Sequence, residues 1–374
     1  MRALVIREIA QAGGWISFAR YMELALYAPG LGYYSAGSAK LGSAGDFVTA
    51  PEISSLFGAT LATQLADCIG PALPDILELG AGTGKLAGDV LHELARLDKL
   101  PRRYLILELS GDLRERQRLA LERCVPQLLD RVQWLDTLPQ KFCGSVIGNE
   151  LVDALPVHLV TWSDDGVSER GVALDANGGF VWAGRPATGV LLATANRIRP
   201  SIGVLPSGID YVSEINLAAS ALIATLAGTL EQGLILLIDY GFPRHEYYHT
   251  QRSAGTLMCH YRHRAHDDPF QFPGLQDITA HVDFTALRDA ATVNGLECLG
   301  FVNQAQFLIN CGITDVLARV PPDDVARYLP LAAGAQKLLS PSEMGELFKV
   351  IAFGKGIAPP LRGFATGDMH ERLG

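Results

Sequence analysis

The sequence lacks the features of a membrane protein, of a nucleic-acid-binding protein and of a disulfide-stabilised protein. It has no long hydrophobic run, since the longest weakly apolar helix candidate, residues 217–230, is shorter than the roughly 20 residues of a membrane span. It has no excess of basic residues, because its net charge is -9, and nonspecific binding to phosphates needs basic clusters. Its six cysteines include no C-x-x-C pair, so we expect reduced thiols rather than a disulfide framework.

The N-terminus lacks the pattern of a secretion signal. Glu8 comes early, and the first residues contain no sustained apolar segment with a small-residue cleavage site. Of the 374 residues, 48% are hydrophobic, which is enough to bury one large core or two smaller ones. We therefore expect a soluble globular protein, and its acidic balance would suit a basic protein substrate.

A glycine-rich turn is the clearest functional motif. Gly80, Gly82 and Gly84 follow a short apolar strand that contains Glu78. Glycine allows backbone angles forbidden to other residues and lets a ligand lie against bare backbone. The spacing G-x-G-x-G differs from the G-x-G-x-x-G of dinucleotide sites, and Glu78 suits a ligand with a cationic amine and no phosphate. We therefore predict a site for S-adenosylmethionine.

Apolar strands alternate with helical patterns from residue 75 onward. The helices are predicted from Leu86 to Leu97, after a capping box of Asp112 and Glu115, and from Val212 to Leu230. Such alternation builds an α/β fold with a parallel sheet and helices on both faces, and seven strands would complete the Rossmann-like sheet usual for a methyltransferase. The seven strands are predicted at Ile76–Leu79, Tyr104–Leu109, Val132–Leu135, Ser145–Ile147, Leu234–Asp239, Leu296–Val302 and Phe348–Phe353.

Three stretches interrupt this alternation. Residues 1–74 are predicted to form an N-terminal helical segment with an active-site loop. Residues 156–210 alternate apolar and polar side chains around glycine turns, which predicts a β-hairpin insertion. Residues 241–295 are irregular, and we expect a substrate-site loop region there. The remaining residues are assigned to the methyltransferase core (75–155, 211–240 and 296–355) and to a C-terminal tail (356–374).

Three further side chains are candidates for the cofactor site. Glu108 ends the second strand, where a carboxylate can accept both ribose hydroxyls, although a nicotinamide cofactor would use the same acid. Asp136, after the third strand, is placed for the adenine amino group or is a solvated loop aspartate. Asn149 follows the fourth strand and is predicted to stand over the cofactor.

Carboxylates near the fourth strand are candidates for the catalytic, acceptor side. Glu150 and Asp153 follow that strand at the crevice where ligands bind, although Asp153 could instead cap a short helix. Glu52 and Glu214 are reserve candidates. Glu52 lies with Asp46 in a glycine-bounded loop that either folds over the cofactor or begins a helix.

Residues 259–268 contain Cys, His and Asp at spacings that metal sites use. Two arginines among them would repel a cation, and no partner cluster of Cys or His occurs elsewhere, so we predict no metal site. We predict instead that His260 belongs to the acceptor site. At least one polar residue between 277 and 283 is expected to cap the helix that follows.

Five segments carry a family resemblance: Gly45–Ser54 (GDFVTAPEIS), Leu77–Gly84 (LELGAGTG), Asn149–Pro156 (NELVDALP), Asp239–Gly241 (DYG) and Pro273–Phe284 (PGLQDITAHVDF). Together they closely resemble the MidA family, whose mitochondrial member is an assembly factor of respiratory complex I. The resemblance covers nearly the whole chain and includes motifs outside the generic methyltransferase core. It implies a class I S-adenosylmethionine-dependent fold and methylation of arginine in a protein, which for the mitochondrial member is a subunit of the respiratory NADH dehydrogenase.

The sequence departs from the family pattern at two places. It has Leu151 and Val152 where the pattern has an aromatic pair, and Phe242 where a histidine is frequent. The first change is expected to alter the acceptor pocket, and neither touches the cofactor site. A eukaryotic member would carry a transit peptide for the mitochondrial matrix, which this N-terminus lacks, so we expect a bacterial cytoplasmic form.

We therefore predict a methyltransferase that modifies arginine in a protein, such as a subunit of respiratory complex I. A guanidinium group has a pKa above about 12 and cannot be deprotonated beforehand, so carboxylates must grip it, and Glu150 and Asp153 are the candidates. Two alternatives stay open. The chain could be a catalytically silent assembly chaperone that binds S-adenosylmethionine, or it could methylate a small molecule or another protein atom.

Overall fold

The structure is a computed structural model that describes residues 1–35, 48–206, 208–357 and 361–374. Its strands are β1 (Ile16–Ser17), β2 (Asp75–Leu79), β3 (Arg103–Leu107), β4 (Val132–Leu135), β5 (Phe142–Asn149), β6 (His158–Ser163), β7 (Gly166–Leu174), β8 (Phe180–Pro186), β9 (Tyr211–Ile215), β10 (Leu230–Phe242), β11 (Met258–Tyr261), β12 (Arg264–His266), β13 (Asp277–Thr279), β14 (Val282–Asp283), β15 (Glu297–Asn303) and β16 (Phe348–Lys355).

The helices in the described residues are α1 (Arg2–Gln11), α2 (Phe18–Tyr27), α3 (Ala50–Ile53), α4 (Ser55–Cys68), α5 (Lys85–Arg96), α6 (Gly111–Cys124), α7 (Gly189–Ile202), α8 (Leu217–Thr229), α9 (Arg244–Tyr247), α10 (Phe284–Val293), α11 (Gln304–Asn310), α12 (Ile313–Leu317) and α13 (Val325–Leu339). Short 3₁₀ helices lie at Pro126–Arg131, Arg362–Phe364 and His370–Leu373. Measured over these residues, no helix is both long enough and apolar enough to cross a membrane.

The main sheet has the strand order β15-β16-β10-β5-β2-β3-β4, and β14 adds to β10. The five strands from β10 to β4 are parallel, whereas β16 is antiparallel to both β10 and β15. All seven strands predicted for this sheet are present, so that prediction is confirmed. Since the carboxyl ends of the parallel strands meet at one edge, the polar residues that follow β2, β3, β4, β5 and β10 lie along the same crevice.

Helices cover both faces of the main sheet, and each face has its own apolar core. Ile76 and Tyr104 pack on the face covered by α4 and α5, whereas Leu77 and Leu105 pack on the face covered by α8 and α10. Every residue of β2 is buried. Burial on both faces explains why the successive residues Ile76 and Leu77 are both apolar, whereas a half-buried strand would alternate apolar and polar side chains.

A second sheet joins the predicted β-hairpin insertion to the N-terminus. It has the order β1-β7-β6-β9, and β8 pairs with the other edge of β7. The partner of β7 at Val172 is Ile16, so the N-terminal segment forms part of this sheet. The insertion also contains α7, which the hairpin prediction missed. A third, small sheet has the order β12-β11-β13 and lies within the segment that the sequence indicated to be irregular.

Two local predictions need correction. The capping box of Asp112 and Glu115 is wrong, because α6 begins two residues earlier, where the Ser110 side chain accepts a hydrogen bond from the amide of Leu113. The helix predicted from Val212 begins only at α8, and its first four residues belong to β9 instead, since the apolar side chains of Val212 and Ile215 fit a strand as well as a helical turn. The expected cap before α10 is confirmed, because Asp283 accepts from the amide of Ala286.

Candidate functional site

The glycine turn after β2 is left-handed at three positions. The φ angles are +68° at Gly80, +53° at Gly82 and +83° at Gly84. A Cβ atom at Gly84 would lie 3.0 Å from Cα of Gln117, and one at Gly80 would lie 3.2 Å from a methyl group of Leu151. Only glycine avoids both the backbone strain and these contacts. The turn is thus a bare-backbone cradle, as a nucleoside cofactor lying against it would need.

Gln117, which was not among the predicted site residues, connects the cradle to the two neighbouring strands. Its side-chain amide, fully buried on α6, donates to the carbonyl oxygen of Gly82 (3.0 Å) and to Oε2 of Glu108 (3.1 Å). Its oxygen accepts from the indole of Trp134 at 2.9 Å. One side chain therefore fixes the ends of β2, β3 and β4. The available signal was its position four residues before Leu121, on the buried face of an otherwise polar helix.

Replacing Gln117 by methionine, which has a similar size and no amide, should weaken both the fold and the cofactor site. The carbonyl of Gly82, the carboxylate of Glu108 and the indole of Trp134 would lose their partner, at a cost of about 1–3 kcal/mol in the free energy of unfolding. We expect binding of S-adenosylhomocysteine, measured by calorimetry, to weaken about tenfold. The exposed Gln127 provides the matched control, because Gln127→Met should change neither quantity.

The carboxyl ends of β3 and β4 place the other predicted cofactor residues side by side. Glu108 is buried, and its Oε1 accepts from the amide of Ser110 at 2.9 Å. Asp136 is exposed and pairs with Arg114 at 2.7 Å. Leu109, next to Glu108, is 79% exposed, which is unusual for leucine at the ligand edge of a sheet. It offers an apolar surface for a base, although it was not among the predicted site residues.

Glu78 has a partner that the sequence did not predict. It is buried in β2, and its Oε2 accepts a hydrogen bond of 2.7 Å from the hydroxyl of Tyr104 on β3. Burial raises the pKa of Glu78 to about 7, and the bond from Tyr104 opposes that rise. The predicted contact between Glu78 and a cationic amine stays a prediction, since the described contact of this carboxylate is within the sheet.

Glu52 lies at the glycine turn rather than among the other acceptor candidates. It is on the short helix α3, and its Oε1 accepts from the hydroxyl of Thr83, between the second and third glycines. The amide of Ala50, in the first turn of the same helix, donates to Oε1 of Glu150 at 3.3 Å. Two structures were predicted for this segment, a loop over the cofactor or the beginning of a helix. The structure shows the beginning of a helix. Asp46 lies outside the described residues.

Glu150 combines a strained backbone with a largely enclosed carboxylate. Its φ is +51°, which is uncommon for a residue other than glycine. Its Oε1 also accepts from the side-chain amide of Asn149 at 3.0 Å. Burial and the nearby charge of Asp153 raise the pKa of Glu150 to about 8. The oxygen of the Asn149 side chain is buried and has no hydrogen-bond partner in the described residues.

Asp239 positions the loop that carries Glu150 and Asp153. It ends the central part of β10, and its Oδ2 accepts from the amides of Val152 (2.8 Å) and Asp153 (3.2 Å), while Oδ1 accepts from the amide of Tyr240 (2.9 Å). The carbonyl of Asp153 accepts in turn from the amide of Ala280. The short helix that Asp153 could instead have capped is absent, because residues 152–155 form a turn flanked by bends.

The carboxylate of Asp153 is buried and keeps one open hydrogen-bonding position. The residue is 6% exposed, and its Oδ1 has no partner among the residues that the structure describes. Burial raises the pKa of Asp153 to about 6, and a hydrogen bond from the phenol of Tyr240 lowers it. Further buried atoms that have no hydrogen-bond partner within the described residues include Oδ1 of Asn149, Oγ1 of Thr279 and Nδ1 of His281.

Asp277 and two tyrosines from the N-terminal segment complete the surroundings. The hydroxyl of Tyr34 donates to Oδ1 of Asp277 at 2.9 Å, and the ring of Tyr34 stacks on that of Tyr27 at 5.5 Å. The hydroxyl of Tyr27 donates to the carbonyl of Ala154, next to Asp153 in the chain. His260 lies directly opposite Asp277 in the pairing of β11 with β13, so its side chain is on the same face. The predicted acceptor candidate His260 thus joins this group.

Glu214 does not belong to this group of residues. Its predicted role as a reserve candidate for the acceptor site is therefore wrong. It is buried on β9 and accepts from the hydroxyl of Tyr247 at 3.0 Å and from the amides of Thr256 and Leu257, each at 2.9 Å. Both oxygens are engaged in holding the chain around residue 256. A glutamate bonded in this way supports the fold and has no free oxygen to bind an acceptor.

The site therefore has a bare-backbone cradle and, near it, a cluster of enclosed carboxylates, Glu150, Asp153 and Asp239, which we call the acidic pocket. In the described part of the chain, no lysine or arginine forms an ion pair with Glu150, Asp153 or Asp239. Buried carboxylates without a counterion are costly unless they are protonated or a cation binds. The pocket is thus suited to a cationic group that carries several N–H donors.

The chain is similar to one family of known proteins. Residues 57–302 match the family model described as "Putative S-adenosyl-L-methionine-dependent methyltransferase". Relatives from Danio rerio and Mus musculus are both named Protein arginine methyltransferase NDUFAF7, mitochondrial. The first is 30% identical, with 90% of this chain and 83% of the relative covered, and the second is 31% identical, with 91% and 81% covered.

Two crystal structures of Burkholderia thailandensis proteins are similar to the entire fold. Each is 51% identical in sequence and covers 100% of this chain and 96% of its own. The TM-score is 0.94 for the protein bound to S-adenosyl-homocysteine and 0.91 for the native crystal structure. The similarity thus extends beyond the main sheet to the inserted segments.

Proposed function

The chain belongs to the S-adenosyl-L-methionine-dependent methyltransferase family, and on that premise we propose that it methylates arginine in a protein. The fold class and the cofactor predicted from the strand order and the glycine turn are confirmed. The nature of the acceptor is the proposed part. It is supported by the names of the relatives and by the chemistry of the pocket beside the cradle.

The unpartnered Oδ1 of Asp153, buried beside Glu150, is the observation that carries this proposal. A guanidinium group is planar, always charged, and has five N–H donors in a fixed fork that matches carboxylate oxygens. Two carboxylates can each accept from it and satisfy their own open positions. The stacked rings of Tyr27 and Tyr34 add aromatic surroundings, which also favour a guanidinium group.

These contacts suggest which residues bind the cofactor and which bind the acceptor during methyl transfer. When bound, S-adenosylmethionine supplies an electrophilic methyl group, so the protein has mainly to align the acceptor and exclude water. The glycine cradle and Glu108 hold the cofactor side. Glu150 and Asp153 accept hydrogen bonds from two guanidinium nitrogens, so that the third nitrogen faces the cradle. Methylation leaves the guanidinium with the same charge, so one proton must depart, and the carboxylate of Glu150 is placed to take it.

A subunit of the respiratory NADH dehydrogenase is the protein acceptor that we propose. The support is the resemblance of five segments to a family whose mitochondrial member assembles complex I. We also place the reaction in a bacterial cytoplasm. The similarity to bacterial proteins supports that location, as do six cysteines that form no disulfide and thus suit a reducing compartment.

Loss of methylated arginines upon gene deletion is the test of this function. Quantitative mass spectrometry should identify arginine sites that are methylated in the parent strain, unmodified in the deletion strain and restored by the wild-type gene. The Glu150→Gln gene should not restore them. An unchanged set of methylated arginines would reject arginine as the acceptor and favour a small molecule or another protein atom.

Activity should rise with pH between about 6 and 8. Burial raises the pKa of Asp153 to about 6 and that of Glu150 to about 8, so both must lose protons before they bind a cation. We expect kcat/KM for the acceptor protein to increase about tenfold per pH unit on the acid side and to level off above about pH 8.

The same shifts predict the opposite slope for stability. A carboxyl group whose pKa is raised in the folded state binds more protons there than in the unfolded chain, so stability falls as the pH rises from the unfolded pKa to the folded one. The melting temperature of the protein without acceptor should therefore decrease over the pH range in which activity increases.

A flat activity profile from pH 6 to 8 would contradict the assignment of these carboxylates.

A further inference from the structure

We propose that Glu52 is a positioning residue that couples the cofactor site to the acceptor carboxylate through helix α3. The inference rests on the acceptor role proposed above for Glu150. It also gives a different role to Glu52, which was predicted from the sequence as a reserve acceptor-binding group. The structure provides a continuous set of contacts from the glycine cradle, across α3, to Glu150.

The first contact joins α3 to the cradle. The hydroxyl of Thr83 donates to Oε1 of Glu52. Thr83 stands between Gly82 and Gly84, both of which have left-handed backbone, and its oxygen also accepts from the amide of Lys85 at 3.3 Å. The position of Glu52 is thus tied to the conformation of the turn on which a cofactor would lie.

The second contact joins α3 to the acceptor side. The amide of Ala50 donates to the Oε1 atom of Glu150, at a distance of 3.3 Å. This atom is also held by Asn149, and the φ of +51° at Glu150 means that the backbone alone would not favour its position. External contacts must therefore keep the carboxylate in place, and the Ala50 amide is one of them.

Helix α3 is short enough to transmit a shift from one contact to the other. It has four residues, so Ala50 and Glu52 are less than one turn apart and move together. Ala50 is completely buried, and Ser54 at its end lies so close to α13 that a Cβ at Gly334 would be 2.7 Å from that of Ser54. A helix packed in this way is displaced as a unit rather than bent.

Two consequences follow for binding. A cofactor that restricts the cradle restrains α3 through Thr83 and Glu52, and the Ala50 amide then holds Glu150 in the orientation that an acceptor needs. By thermodynamic reciprocity, an acceptor that fixes Glu150 strengthens cofactor binding by the same factor. The carboxylate of Glu52 contributes as an acceptor of one hydrogen bond, not as a charge.

Hydrogen exchange of α3 tests the coupling without any acceptor protein. In the wild-type chain, saturating S-adenosylhomocysteine should slow exchange of the Ala50, Glu52 and Ile53 amides about fivefold or more, the lower end of ordinary coupling between sites. Glu52→Gln keeps an oxygen that can accept from Thr83 and should preserve this slowing. Glu52→Ala removes the oxygen and should abolish it, although the ligand still binds to the cradle.

Thr83→Val removes the same hydrogen bond from the cradle side, together with the one from the amide of Lys85, and leaves the residues of α3 unaltered. It should reproduce the result of Glu52→Ala, so the test does not depend on one variant folding well. Slowing that persists in Glu52→Ala, or its absence in the wild type, would overturn the proposal. A Glu52→Gln variant as defective as Glu52→Ala would also overturn it, because the charge of Glu52 would then matter.

The outcome is separable from that of the arginine proposal. If deletion of the gene changes no methylated arginine, the acceptor assignment fails, yet the exchange of α3 still reports whether the cradle and Ala50 are coupled. Conversely, methylarginine sites that depend on the gene, together with exchange that ignores the cofactor, would leave the enzyme as an arginine methyltransferase without this coupling.

Discussion

Replacing Glu150 by glutamine should lower kcat about 10²–10³-fold, as removal of one preorganised charged or polar group at a reacting centre does in other enzymes. Glutamine keeps the size of the side chain and its bond from Asn149, but it cannot pair with a guanidinium group or take a proton from it. Asp153→Asn should have an effect of the same order. Binding of S-adenosylhomocysteine, measured by calorimetry, should remain nearly unchanged in both variants.

The contrast between turnover and cofactor affinity is what identifies the acceptor role. Glu297→Gln makes the same chemical change at an exposed position at the start of β15 and should leave both quantities unaltered. If Glu150→Gln or Asp153→Asn lost cofactor affinity in proportion to turnover, the carboxylates would belong to the cofactor site instead. Their assignment to the acceptor would then be wrong.

Replacing Asp239 by alanine should have the largest effect on the fold. Asp239 is 1% exposed, and its two oxygens accept from the backbone amides of Val152, Asp153 and Tyr240. Each buried donor left without a partner costs about 1–3 kcal/mol, so for the three amides we expect a loss of about 3–9 kcal/mol in the free energy of unfolding. Urea denaturation measures this loss, which is a large part of the roughly 5–15 kcal/mol that stabilises a typical protein.

Asp239→Asn separates the hydrogen bonds from the rest of the side chain. The side-chain oxygen of asparagine can still accept from the amides of Val152 and Asp153. Only the hydrogen bond from Tyr240 is lost, because the side-chain NH₂ group of asparagine would face the Tyr240 amide and both groups are donors. We therefore expect roughly a third of the loss seen for alanine. A stability of Asp239→Ala within about 1 kcal/mol of wild type, below the cost of even one unpaired donor, would show that the loop does not depend on this residue.

The main sheet could be predicted from the sequence because its signals are local. Each strand is a short apolar run, and the glycines after β2 occupy the left-handed positions that their residue type suggests. The second sheet could not be assembled in this way. Its strand β1 pairs Ile16 with Val172, and no local pattern connects positions so far apart in the chain.

The proposed acceptor site illustrates the same limit. Glu150 and Asp153 could be proposed from their place after β5, since strand ends in parallel sheets meet at one edge. Tyr27, Tyr34 and Asp277 come from segments outside the main sheet, and only the tertiary fold brings them together. Gln117 was missed for another reason. Its residue type is common on helix surfaces, and its burial depends on three partners from three different strands.

The left-handed backbone at Glu150 implies that the role proposed for this residue comes at the expense of stability. A residue with a Cβ pays about 1–2 kcal/mol to adopt such a conformation, whereas glycine adopts it freely. Selection for a robust fold alone would thus favour glycine at position 150. The glutamate that stands there keeps a carboxylate at the end of β5, and the remaining contacts of the loop, including those to Asp239, must offset the strain.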